Sequence, residues 1–242
     1  GVAGMGGVLH TINPRLFEDQ LEYIANHAED RVLLYDAAFQ PIVDKMRSKW
    51  ASIEHYICYD PPEGSDALGF EEWIGAQDGD YHWPTIDERD PCMLCYTSGT
   101  TGNPKGVLYE HRSTVLHALA AIQPAAFAFD ASSVMLPVVP MFHAASWGLP
   151  FAGAMAGIKF VFSAVNEPAV LCDLMERENV TDSAGVPTVW LATFQYCDAN
   201  DRPLPKLRAA TIGGSAAPKF MIRRLMEAGI RVQHAWGMTE TS

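Results

Sequence analysis

Short apolar runs alternate with longer segments of helical spacing along the whole chain. "RVLLYD" (31–36), "HYICYD" (55–60), "CMLCYT" (92–97), "SVMLPV" (133–138), "IKFVFS" (158–163), "AATIGG" (209–214) and "IRVQHAW" (230–236) each predict a strand. Between them, "QPIVDKMRSKW" and "RSTVLHALAAI" carry apolar residues at helical intervals. "EPAVLCDLMERENV" predicts a helix with Asn166 as N-cap and Pro168 in its first turn. "APKFMIRRLMEAG" predicts another that stops at Gly229, a C′ residue. Strands alternating with helices give an α/β fold of largely parallel sheets layered with helices. Any subdomain seam is expected between Pro137 and Pro150. No internal repeat or low-complexity tract interrupts the pattern.

Composition narrows the classes. The 242 residues suffice for a sizeable core. A formal net charge of −12 argues against a general nucleic-acid or anionic-membrane surface. Ten acids and one base (Arg89) fall between Asp60 and Pro91, which predicts a solvated surface excursion. Five cysteines form no disulfide framework. Cys92 and Cys95 are three apart on an expected strand and point to opposite faces, which argues against a shared disulfide or zinc. Buried free thiols in a reducing cytoplasm are the expectation. No run approaches the ~18 apolar residues of a membrane span, and no signal peptide is present. Because the chain opens without Met, it is expected to be an excised piece of something longer.

One stretch breaks the core-forming pattern. "YTSGTTGNPKGV" (Tyr96–Val107) holds three glycines, four hydroxyl residues and one lysine, yet it sits between an apolar run and the strand-like "GVLYEH". Successive backbone N–H groups freed by glycine form an anion-binding nest; the hydroxyls and Lys105 add donors and charge. That combination suits a polyphosphate. A Walker A loop does not fit: Lys105 follows proline, and Gly106 takes the place of the Ser or Thr that would bind magnesium.

The stretch resembles the phosphate loop of the adenylate-forming superfamily, the AMP-forming acyl and aryl ligases. Further motifs follow in that family's order: "VPMFHAASWGLP" (139–150) resembles the acyl-pocket stretch, "GGSAAP" (213–218) the adenine turn, and "WGMTETS" (236–242) the Y-G-x-T-E segment. "LHTINPRL" and "HAEDRVLLYD" are similar to fatty-acyl-CoA ligases in particular. The resemblance implies that a carboxylate is joined to ATP as acyl-AMP with release of pyrophosphate, after which the thiol of coenzyme A displaces AMP. It identifies the chain as the core part of such an enzyme's N-terminal domain. The start of that domain, the ribose-binding aspartate and the C-terminal lid are expected to be absent from residues 1–242.

Roles follow residue by residue. Ser98, Gly99, Thr100, Thr101, Gly102 and Lys105 correspond to the loop that holds the β- and γ-phosphates. Thr97 and Glu240 correspond to positions that place Mg²⁺. Thr239 corresponds to the threonine on the α-phosphate. Gly214, Ser215, Ala216 and Ala217 wall the adenine slot, followed by Trp236, Gly237 and Met238. Trp236 replaces the usual tyrosine: it keeps an aromatic face for stacking and loses a phenol hydroxyl. His143, which alone reads as readily as a packed residue, corresponds to the histidine beside the reacting carboxylate. Trp147 is either core filler or a gate on the acyl tunnel, and a helix would set it on the same face as His143. Ala144, Ala145, Gly148, Ala152 and Gly153 leave room for an alkyl chain or permit close helix packing. Gly185, Val186 and Pro187 in "AGVPTVW" correspond to another pocket-lining segment. Lys105, His143, Thr239 and Glu240 form the catalytic set. The expected partners are a fatty acid, ATP, coenzyme A and a second copy of the chain. An aromatic carboxylate substrate, or nucleotide binding without chemistry, are the alternatives.

Overall fold

The computed structural model describes residues 1–97 and 102–241. The chain divides into two compact units, Gly1–Leu108 and Tyr109–Ser242. The expected seam at 137–150 therefore falls inside the second unit; the division lies within strand β6 (Gly106–Glu110).

In the first unit, β2 (Val32–Tyr35), β3 (His55–Cys58) and β4 (Leu68–Gly69) form a parallel sheet. Helices α1 (Glu18–His27) and α2 (Gln40–Met46) supply the rest of its core: Leu21, Ala25, Val43 and Met46 pack with Tyr35, Trp50, Tyr56 and Cys58. The short α3 (Phe70–Gly75) lies in the acidic excursion, which is largely exposed as its composition requires. A second sheet has the order β1-β5-β6, with β1 (Leu9–His10) parallel to β5 (Pro91–Tyr96).

In the second unit, five strands take the order β11-β10-β9-β7-β8, parallel at every junction. These are β7 (Val134–Val138), β8 (Lys159–Phe160), β9 (Asp182–Gly185), β10 (Ala209–Ile212) and β11 (Arg231–His234). Both faces are covered. Met135 and Ala184 face a cluster containing Leu149 and Ala152, whereas Leu136 and Ile212 face one built on Trp190, Phe194 and Leu225. Burial on both sides explains why β7 and β10 read as continuous small or apolar runs, not as an alternation; β9 begins instead on the buried Asp182, paired with Arg208 at 2.8 Å. All four residues of β9 and of β10 are buried.

The helices are α4 (His111–Ala121), α5 (Ala144–Trp147), α6 (Leu149–Ala156), α7 (Pro168–Arg177), α8 (Pro187–Ala199) and α9 (Lys219–Glu227). Helix α7 is preceded by Glu167 as its N-cap, not by Asn166, because Pro168 occupies the first helical position and pulls the start one residue forward. Gly229 ends α9 with φ +79°, as expected of a C′ glycine. All five cysteines are free and buried. No helix among the described residues is long and apolar enough to cross a membrane.

Candidate active site

Parallel strands deliver their following loops to one edge. In the second unit Val138 pairs with Gly185, Gly185 with Ile212, and Ile212 with His234, so four strands finish level with one another. The segments that leave these ends are 139–148, Val186–Pro187, Gly213–Pro218 and Ala235–Glu240. Four stretches distant in sequence therefore open at the carboxyl edge of one sheet, where open α/β sheets bind ligands.

Backbone bonds extend the alignment past the strands. Gly213 donates to the Gly185 carbonyl at 3.4 Å, and Ala235 donates to that of Ile212 at 2.8 Å. The Ala217 amide donates to Nε2 of His234 at 3.2 Å, which ties the end of the adenine turn to the end of β11. His234 was invisible as a site residue in the sequence; its contact spans 17 positions and belongs to no motif. Trp236 is 82% exposed, so its ring faces are left largely uncovered by this chain.

Thr239, Glu240 and Thr241 form a 3-10 turn. Its position is set by Tyr109, whose buried hydroxyl donates to the Thr239 carbonyl at 2.5 Å. No motif marks Tyr109, and 130 residues separate the partners. A lost hydrogen bond of this kind costs about 0.5–1.5 kcal/mol. Replacing Tyr109 with phenylalanine should thus lower stability by about 0.5–1.5 kcal/mol and loosen the Thr239–Glu240 turn; an unfolding midpoint equal to wild type would show that the bond does not hold the turn.

The stretch 139–150 holds the least expected backbone. Ala144, Ala145, Ser146 and Trp147 have φ of 42°, 54°, 55° and 57°, and Gly148 continues at 69°. Helix α5 is thus one turn of left-handed hand, not the right-handed helix that would have set His143 and Trp147 on one face. His143 precedes it in extended conformation, with φ −104° and ψ 102°. The shared right-handed face expected for His143 and Trp147 does not exist. Left-handed geometry costs each non-glycine residue roughly 1–2 kcal/mol, because Cβ crowds the next carbonyl. Small side chains at 144–146 limit the crowding. The buried hydroxyl of Ser146 donates to the Val139 carbonyl at 2.8 Å and fastens the turn to the end of β7.

The turn aims Trp147 at the stretch 213–218. A Cβ placed on Gly213 would lie 2.9 Å from Trp147 Cη2, so the indole fits only because residue 213 lacks a side chain. Trp147 also packs on the cluster around Leu149 and Ala152. Of the small residues that could have left alkyl space, Gly148 and Gly153 serve close packing instead. Ideal Cβ atoms there would stand 2.3 Å from the His117 ring and 2.3 Å from the Phe160 ring. Ala152 is fully buried against the same cluster.

His143 keeps an exposed edge, and its ring meets Phe142 at 4.7 Å. Desolvation by the surrounding protein lowers its pKa below the ordinary histidine range, which keeps it neutral at neutral pH. A neutral imidazole can orient a carboxylate by donating one hydrogen bond. Gly185 ends β9 and is buried; Val186 and Pro187 start α8.

In the first unit, Thr97 and Lys105 pair at the neck of the loop that joins β5 to β6. The Thr97 amide donates to the Lys105 carbonyl at 3.0 Å, and the Lys105 amide donates to Thr97 Oγ1 at 3.3 Å. Lys105 and Gly102 are exposed, and the buried Pro104 anchors the loop's return. Ser98, Gly99, Thr100 and Thr101 lie outside the described residues. Among the described residues, no group of three or more His, Cys, Asp and Glu side chains could hold a metal. Thr97 in the first unit offers a hydroxyl and Glu240 in the second a carboxylate, oxygen donors of the kind that hard cations take.

A profile of AMP-binding enzymes matches residues 1–242. The chain is 44% identical over 250 residues to the 3-methylmercaptopropionyl-CoA ligase of Ruegeria pomeroyi, covering 100% of this chain and 46% of that protein. It is also 44% identical to the long-chain-fatty-acid–CoA ligase of Thermus thermophilus, over 100% of this chain and 44% of the relative. Among solved structures, an anthranilate CoA ligase in complex with anthranoyl-AMP superposes with a TM-score of 0.88 at 25% identity, covering 99% of this chain and 47% of its own. The chain thus spans about half the length of the relatives it matches. With the match running from first residue to last, this protein belongs to the AMP-binding enzyme family.

Proposed function

We propose that the natural full-length protein activates an apolar carboxylic acid, of medium to long chain, to its coenzyme A thioester through an acyl-adenylate. The observation that carries this reading is the meeting of the acyl, adenine and Thr239–Glu240 segments at one sheet edge, with Trp147 packed on the adenine turn. The resemblance of "LHTINPRL" and the 44% identity to a long-chain-fatty-acid ligase support the substrate class. In this reading residues 1–242 are the core of the N-terminal domain, and the lid and ribose anchor lie beyond them. The five buried free thiols support a cytoplasmic location, and a homodimer is the proposed assembly.

In the first step a carboxylate oxygen attacks the α-phosphorus of ATP. The bond from the α-phosphorus to the bridging oxygen breaks, and pyrophosphate leaves with those electrons. In the second, the deprotonated sulfur of coenzyme A attacks the acyl carbonyl carbon, and AMP leaves. Lys105 and the loop from Ser98 to Gly102 take the β- and γ-phosphates, where a mobile cation offsets charge building on the leaving group. Thr239 orients the α-phosphate. Gly214, Ser215, Ala216 and Ala217 flank adenine, and the open face of Trp236 stacks on it. Neutral His143 orients the carboxylate without adding a charge. Magnesium, held by Thr97 and Glu240 with phosphate oxygens, would neutralise negative charge on the triphosphate.

The test is a series of acids from 3-methylmercaptopropionate to palmitate, assayed for ATP- and coenzyme A-dependent thioester formation. Maximal kcat/KM with an acid of about eight or more carbons is expected. A second reading, an aromatic carboxylate, is favoured by the anthranilate ligase neighbour. Preference for benzoate or anthranilate in the same series would establish it and overturn the first. Replacing Trp147 with alanine should shift the preferred chain length by several carbons while changing the KM for ATP by less than about threefold. A change in ATP dependence alone would assign Trp147 to the nucleotide site.

A further inference from the structure

The neck of the phosphate loop is braced by a side chain that no motif assigns. Tyr96 ends β5, immediately before Thr97. Its ring crosses to the opposite arm of the neck. A Cβ built on Gly106 would lie 3.2 Å from Tyr96 Cζ and 3.4 Å from its hydroxyl oxygen, so a side chain at 106 would crowd the ring where it lies against the backbone. The hydroxyl meets Nδ1 of His27, the last residue of α1, at 2.6 Å. His27 is itself stacked on Tyr23, with ring centroids 5.1 Å apart. On its other side the Tyr96 ring contacts His10 at 5.2 Å. His10 in turn is fixed by Asp30, whose carboxylate accepts from Nδ1 at 2.8 Å. Two histidines from separate elements thus hold one tyrosine at the point where the loop begins.

Burial and the nearby Asp30 carboxylate push the Tyr96 phenol up to about 12. It therefore keeps its proton at neutral pH, and its hydroxyl pairs with Nδ1 of His27 in the direction that the imidazole tautomer sets. The arrangement is more than core filling. His27 is exposed, and Tyr96 is only partly buried. A tyrosine placed for packing alone would need neither a hydroxyl partner nor a bare Cα beneath it.

We propose that Tyr96 is a positioning residue for nucleotide binding: seated on Gly106 and fastened to His27, it fixes the Thr97–Lys105 neck and so the direction in which Thr97 and Lys105 present their donors to a triphosphate. His27 acts through Tyr96 and needs no contact with ligand. The proposal rests on the reading of the loop as an ATP site.

The experiment uses the natural full-length protein and two readouts. Calorimetric titration with Mg·ATP tests the positioning, and thioester formation with decanoate in the wild type tests the functional reading independently. Tyr96→Phe, which removes one oxygen and keeps the ring, is expected to weaken Mg·ATP binding about tenfold. The KM for decanoate should stay within twofold and the thermal midpoint within about 2 °C. His27→Ala should reproduce that loss. His27→Asn, which keeps an acceptor near the Nδ1 position, should restore most of it. The double variant Tyr96→Phe/His27→Ala should bind no more than twofold more weakly than either single variant, because both remove the same bond. Unchanged Mg·ATP affinity in Tyr96→Phe and His27→Ala would overturn the proposal. So would equal losses for both substrates with a lowered midpoint, which mark a purely structural role. Wild-type protein that binds Mg·ATP but forms no thioester would sink the functional reading alone; absence of Mg·ATP binding would sink both.

Discussion

Replacing Glu240 with glutamine is expected to lower ATP–pyrophosphate exchange by about two to three orders of magnitude. The substitution keeps size and one oxygen but removes the charge. Deleting one group that stabilises transition-state charge costs about 2.7–4 kcal/mol, which converts to that loss of rate. Folding should be untouched, because Glu240 is exposed in the 3-10 turn beyond β11 and packs in no core cluster. The variant should accordingly unfold at the wild-type temperature. If Glu240 acts through magnesium, raising the Mg²⁺ concentration should recover part of the rate. Exchange equal to wild type at low Mg²⁺ would refute a metal role for this residue and leave Thr97 without its proposed companion.

Replacing Gly148 with alanine is expected to be the most damaging small change in the second unit. Two penalties coincide there. The residue has φ +69°, and its new Cβ would stand 2.3 Å from Cε1 and 2.4 Å from Nδ1 of His117. The conformational term is roughly 1–2 kcal/mol, and overpacking against the ring adds about 1–3 kcal/mol. A loss of about 2–5 kcal/mol should lower the midpoint of thermal unfolding by about 4–20 °C in a chain of this size. Gly229 supplies the control. It too has positive φ, +79°, but no atom lies within 4 Å of its ideal Cβ, so alanine there should incur the conformational term alone. Adding His117→Ala to Gly148→Ala should return part of the loss, because the pair share one space. Equal destabilisation at 148 and 229 would show that His117 yields freely and that the ring does not brace the left-handed turn.

Much of the fold was legible because its signals are local. Strands β2, β3, β5, β7, β10 and β11 lie where short apolar runs predict them, and helices α2, α4, α7 and α9 lie where helical spacing predicts them. The expected run at 158–163 shortens to Lys159–Phe160, because β8 is an edge strand with only β7 beside it. The loop from Tyr96 to Val107 was legible for a different reason: its composition cannot form a core, so its residues had to serve something else.

What the sequence determined by itself is the alternation of strands and helices, the parallel α/β class, the buried free thiols, and the residue types offered to a triphosphate and a carboxylate; the central β9 (Asp182–Gly185) gave no apolar run to read. These follow from periodicity, turn chemistry and motif order, which act over a few residues. Only the tertiary structure decided which of those residues meet. Nothing local in "HAASW" favours a left-handed turn; alanine and serine prefer the opposite hand, and the turn persists because Ser146 bonds to β7, Leu149 is buried beside it and Gly148 can continue the conformation. That turn, not a shared helical face, puts Trp147 against Gly213. The parallel register of β7, β9, β10 and β11 aligns loops that no spacing rule connects. Tyr109 on Thr239 and Tyr96 on Gly106 and His27 are single contacts across 130, 10 and 69 positions. Such contacts leave no periodic trace, because the energy of each is realised only when the two segments that make it have already been brought together.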